Sequence, residues 1–147
     1  MKKRHIKIIA FVTMLVGMFF SLQSFLAVEF ELNPNVWFTA DYYLQFIPLY
    51  ISVSFLLCGV FVLTGYSRVN FYLAMFGHAT SEEILFSLIG LATTPLPFYA
   101  IIIFLPASLI ALWVAYANKL QQKRVSVGEA IFGIIFSTAF ILLPRYL

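Results

Sequence analysis

His78, Glu82 and Glu83 form a cluster of ionisable side chains inside an apolar stretch, and that is where chemistry is first sought in this chain. His78 and Glu82 are four residues apart, so a continuous helix puts them on one face. An imidazole and two carboxylates at membrane depth suit a proton, cation or substrate pathway, because ionisable groups there are costly and mark function by default. A second reading of the same string breaks the helix. Gly77 then ends one short helix, and Thr80 or Ser81 caps another whose first turn holds Glu82 and Glu83, where the exposed N–H groups favour anions. Transporters place ion and substrate sites at such broken helices. Arg68, at the end of the preceding apolar run, is a candidate partner for either glutamate.

Other chemistries find fewer residues. His78, Glu82 and Glu83 supply at most three metal ligands, and the other histidine, His5, sits in the basic N-terminus, so no metal or cofactor is expected. A single cysteine, Cys58, excludes an intrachain disulfide. No Ser/His/Asp set, phosphate loop or nucleotide motif is present, and no catalytic residue is assigned. Glu82-Glu83-Ile84-Leu85-Phe86-Ser87 is similar to the Glu-Glu-x-x-x-Arg motif of the intramembrane CAAX-type proteases. Ser87 stands where that family has arginine, and no histidine follows, so no family role is carried over.

The elements that must hold these residues follow from composition. Of 147 residues, 63% are hydrophobic and 10% charged, against about a quarter charged in soluble domains. That excludes a soluble domain, a disordered chain and a free nucleic-acid binder, despite the net charge of +3. The expected fold is an all-α integral membrane protein, a compact bundle of four to five transmembrane helices in a single domain. Residues 8–28, 46–66, 98–117 and 125–144 each reach the 20 or so residues that a crossing needs. The basic N-terminus resembles a signal peptide, but the apolar stretch behind it exceeds a typical h-region of about 7–15 residues and reads as a retained anchor. Residues 29–45 hold Glu29, Glu31 and Asp41 with Trp37, Phe38, Tyr42 and Tyr43, the composition of an outer interfacial belt. Pro95 and Pro97 predict a tight turn before the fourth span, and Pro106 a kink within it.

The stretch 71–94 is a third span that is either broken or lies at the membrane surface. If it crosses, eight of the nine Lys and Arg residues lie inside and only Arg145 outside; if not, the split is six to three. The positive-inside tendency thus favours five crossings, with the N-terminus in the cytoplasm of a cell with an inner membrane. Insertion cost argues for four, since each acidic residue at a helix centre costs about 2.5–3.5 kcal/mol.

Small residues recur at helical spacing: Ala10, Thr13, Gly17, Ser21 and Ser24; Ala107, Ala111 and Ala115; Ser126, Ala130, Gly133 and Ser137. Such faces let membrane helices approach closely, within the bundle or against another subunit. Gln23 predicts an interhelical hydrogen bond, and Glu129 a favourable place in the first turn of the last helix. The expected partners are membrane lipids and a second copy or another membrane protein, not nucleic acid. The leading functional expectation is a non-catalytic bundle, an accessory or assembly subunit or an immunity- or defence-type factor. Next comes an oligomeric ion or proton channel or small transporter using His78, Glu82 and Glu83, and last an intramembrane enzyme.

Overall fold

A computed structural model describes residues 3–146; Met1, Lys2 and Leu147 lie outside them, as do the side chains of Lys3, Pro144 and Tyr146. Among the described residues every regular element is helical: α1 (Lys3–Ala27), α2 (Ala40–Leu44), α3 (Ile47–Thr64), α4 (Val69–Leu88), α5 (Phe98–Tyr116), α6 (Val127–Leu142) and a closing 3-10 turn (Leu143–Tyr146). Arg4–Ala27, Ala40–Thr64 and Phe98–Tyr116 are long and apolar enough to cross a membrane, and Val127–Leu142 is a shorter apolar helix. Large apolar side chains such as Met18, Phe19 and Leu26 of α1 stand outward, as contact with lipid allows and water does not. The chain is a helical membrane bundle.

Three helices stop in the same way. Gly65 and Gly90 take left-handed backbone (φ 68° and 75°), and Asn118 does so at φ 48°. In each case the next residue's N–H reaches back five residues: Tyr66 to Phe61, Leu91 to Phe86 and Lys119 to Val114. This closure satisfies carbonyls that a helix end otherwise leaves bare. α6 starts instead on a side chain. Ser126 Oγ accepts from Glu129 N–H, and the Glu129 carboxylate accepts from Ser126 N–H, a complete capping box.

α1 packs along α3, while α4 packs against α3, α5 and α6 and is the centre of the bundle. Asn70 at the start of α4 donates to Asn118 just past α5, so α4 and α5 run antiparallel. Arg68 meets Glu129 near the starts of α4 and α6, and Glu83 meets Arg145 near their ends, so those two run parallel. Phe20, Phe55, Phe76 and Phe104, one from each of α1, α3, α4 and α5, knit the core, with successive ring centroids 4.9–5.6 Å apart.

The third span departs from the sequence expectation. It is one unbroken helix of 20 residues, neither interrupted at Gly77 nor set apart from the bundle. Gly77 is there because a Cβ would fall 2.5 Å from Leu112 Cγ and 3.0 Å from the Ser108 carbonyl oxygen of α5. Ser81 does not cap a second helix: its hydroxyl donates back to the Gly77 carbonyl at 2.6 Å, within the helix's own ladder. The helix covers 69–88 rather than 71–94, because Gly90 ends it. α6 covers 127–142 rather than 125–144; its cap fixes the start, and Pro144 has no N–H to continue it.

Candidate functional site: a polar layer on α4

α4 carries most of the buried polar residues, among them Asn70, Thr80, Ser81 and Glu83. A helix packed against α3, α5 and α6 does not need a lipid-compatible surface all round, which is why its middle can carry His78, Thr80, Ser81, Glu82 and Glu83. Glu82 and Glu83 are adjacent and therefore point about 100° apart around the helix axis. They reach different partners.

Glu83 is fully buried and faces Arg145 from the turn after α6. One guanidinium nitrogen, Nη2, lies 2.8 and 3.0 Å from the two carboxylate oxygens and also donates to the Thr93 carbonyl at 3.0 Å. Arg145 Nη1 donates to the Ile141 carbonyl. The pair thus clamps α4, the loop before α5 and the end of α6 together. Such a charge-assisted bond offsets the desolvation of both ions, which unpaired would cost several kcal/mol each.

Glu82 turns toward α6. Its Oε2 accepts from Ser137 Oγ at 2.8 Å and from Thr138 Oγ1 at 2.9 Å. Its Oε1 lies 3.6 Å from His78 Nδ1, the i,i+4 pairing that the spacing implied. The far side of the His78 ring, Nε2, is 2.7 Å from the Tyr116 hydroxyl of α5. Tyr116, His78, Glu82, Ser137 and Thr138 therefore form one connected string across three helices. His78 and Glu82 remain slightly open, with 16% and 14% of their side chains exposed.

His78, Glu82 and Glu83 do not converge on one point, and among the described residues no group of three His, Cys, Asp or Glu side chains is placed to hold a metal ion. Arg68 pairs with neither of its expected partners. It sits at the start of α4, about 20 Å along the axis from Glu82 and Glu83, and its Nη1 lies 3.7 Å from Glu129, as does Lys123 Nζ. Sequence reading missed Arg145, Tyr116 and Thr138 as members of the layer. The available signal for Arg145 was that it is a lone cation on the acidic side of the chain.

The small residues are placed as follows. On α1, a Cβ at Gly17 would meet the Leu56 backbone of α3; in return, a Cβ at Gly59 would fall 2.7 Å from Met14 N. Ser21 is half-buried on the same helix. Gly133 and Ser137 are buried where α6 meets α4, with Ala130 half-buried beside them. Ala111 is buried in the core and Ala107 packs against it, and both also border a cleft. Gln23 donates to the Tyr99 hydroxyl, joining α1 to α5 at the acidic end.

Fold and layer together define a small helical membrane bundle whose buried charges are held by its own side chains. No protein-family model, curated protein or solved structure matches this chain.

Proposed function

We propose that this chain is a non-catalytic membrane bundle that acts through contacts between helix faces in the bilayer, as an accessory or assembly subunit or an immunity- or defence-type factor. One observation carries this reading: the carboxylates of α4 are engaged by donors of the chain itself, Arg145 on both oxygens of Glu83 and Ser137 with Thr138 on Oε2 of Glu82. Groups engaged in this way fix how helices pack. The partner is a second copy of the chain or another membrane protein.

In this reading α4 crosses the membrane with the others. It has the length of a span, about 30 Å, and lies along both α5 and α6. Arg4, Lys7, Arg68, Lys119, Lys123 and Arg124 then share the cytoplasmic side of an inner membrane, opposite Glu29, Glu31 and Asp41.

The alternative is an oligomeric proton or cation channel or small transporter. The string from Tyr116 through His78 to Glu82 supports it: Tyr116 is hydrogen-bonded to His78, and His78 stands 3.6 Å from Glu82, so titratable groups follow one another as a proton relay needs. An intramembrane enzyme has no observation to carry it.

Proton flux separates the two readings. The purified chain is reconstituted into vesicles holding a pH-sensitive dye, and a pH step is applied. The bundle reading expects dissipation no faster than in empty vesicles. Flux that is abolished by Glu82→Gln, in protein that stays folded, would sink it and establish the relay.

A further inference from the structure

α1 and α5 meet only near one end. There Phe20 stacks on Tyr99 and packs on Phe104, with Gln23 bonded to the Tyr99 hydroxyl. Toward the basic end the two helices part and leave a cleft of about 210 Å³, floored by Cys58, Leu73 and Phe76 and walled by Ile9, Ala107 and Ala111. The small side chains of Ala107 and Ala111 are what keep it open. Its lining is almost wholly apolar, so a polar solute gains nothing there. It is a slot between two helices of the chain, lined by side chains such as Ile9, Ala10, Thr13 and Val114. A hydrocarbon chain suits it.

The cleft runs into a second, polar hollow at the basic end of the bundle. Ile6, Val62 and Leu120 line both, and the second adds Lys7, Lys119 and Gln122. Lys7 and Lys119 are exposed and belong to no ion pair among the described residues, whereas Lys123 and Arg68 are engaged by Glu129. Lys119 Nζ stands 4.9 Å over the ring of Trp113, an outward aromatic of the kind that settles at headgroup level. Apolar slot and cationic mouth are thus continuous.

We infer that this wedge between α1 and α5 binds one anionic glycerophospholipid, with an acyl chain in the cleft and the phosphate at Lys7 and Lys119. The chemistry of the two compartments matches the two halves of such a lipid, and their order along the bundle axis matches its orientation in a leaflet. Each lysine near an anionic lipid strengthens binding about fivefold.

The test is native mass spectrometry of the full chain in detergent, offered phosphatidylglycerol and phosphatidylcholine with identical acyl chains. The wild type is expected to retain phosphatidylglycerol preferentially. Lys7→Gln with Lys119→Gln should lower that preference about 25-fold, while Arg124→Gln, on the same surface, leaves it unchanged. Ala111→Phe, which fills the cleft, should reduce retention of both lipids; should that variant not fold, the exposed lysine pair still decides. Equal retention of the two lipids by the wild type would overturn the site, and so would a preference that the lysine pair does not move. An equal loss from Arg124→Gln would reduce it to general surface charge, and displacement of the lipid by millimolar inorganic phosphate would make it an anion site; either result overturns the proposal.

Discussion

Gly17 of α1 lies so close to Leu56 of α3 that a methyl group on it would sit 2.6 Å from the Leu56 backbone nitrogen. Gly59 stands in the reciprocal position against Met14. A neighbouring backbone cannot swing aside as a side chain can, so Gly17→Ala forces the helices apart and is expected to destabilise by about 1–3 kcal/mol. Gly133→Ala presses on the flexible end of Met75, whose sulfur is 3.3 Å away, and reaches His78 Cδ2 only at an ordinary contact distance of 3.8 Å, so it should cost less than about 1 kcal/mol. Unfolding in bicelles measures both, and the reverse order would contradict this account of packing.

Arg145 and Glu83 should behave as a pair and not as two residues. Arg145→Met alone leaves a buried carboxylate with no counter-charge and is expected to cost about 3–5 kcal/mol. Adding Glu83→Leu removes that orphan and should restore most of the loss, because buried ion pairs replaced together by apolar groups are often neutral. Unfolding of the single and double variants forms a thermodynamic cycle; additive losses would mean that the contact does not hold the fold.

Glu82 separates acceptor from charge. Glu82→Gln keeps an oxygen for Ser137 and Thr138 and should change stability by less than about 1 kcal/mol. Glu82→Leu leaves Ser137 its bond to the Ile134 carbonyl at 3.0 Å but strands the Thr138 hydroxyl at the α4–α6 contact, at a cost of about 1–3 kcal/mol. Equal effects of the two substitutions would show that the hydroxyl contacts do not matter.

At the other end of α6, Ser126→Ala removes half of the capping box and should cost about 1 kcal/mol. The loss is local, so amide exchange should quicken at Gly128 and Glu129 while amides around Glu83 keep their protection. Exchange that rises across all of α4 would mean that the cap supports the whole bundle.

Sidedness checks the number of crossings. In a Cys58→Ala background, Gln122→Cys should resist a membrane-impermeant maleimide in intact cells and react once they are opened, while Asn35→Cys reacts from outside. Labelling of Gln122→Cys in intact cells would leave α4 outside the set of spanning helices.

The helices that meet lipid were legible in the sequence because lipid demands a continuous apolar surface. α3 and α5 begin and end within two residues of their expected places, and α1 ends within one residue of its own but starts five residues early. α4 was not, because its surroundings are protein. Local rules read Gly77, Thr80 and Ser81 as a break, whereas Gly77 admits Leu112 and Ser81 bonds back along its own helix. The His78–Glu82 contact followed from helical spacing alone. The partners that complete the layer could not, since Tyr116 is 38 residues from His78, Thr138 is 56 from Glu82 and Arg145 is 62 from Glu83. Nothing local encodes such meetings; they come from how three helices stack.

That last separation also has a duration. A ribosome adding about 5–20 residues per second reaches Arg145 about 3–12 s after Glu83, a gap of 62 residues. For that interval Glu83 is part of the chain and its partner is not. A chain truncated within α6 therefore never acquires the clamp on its central helix.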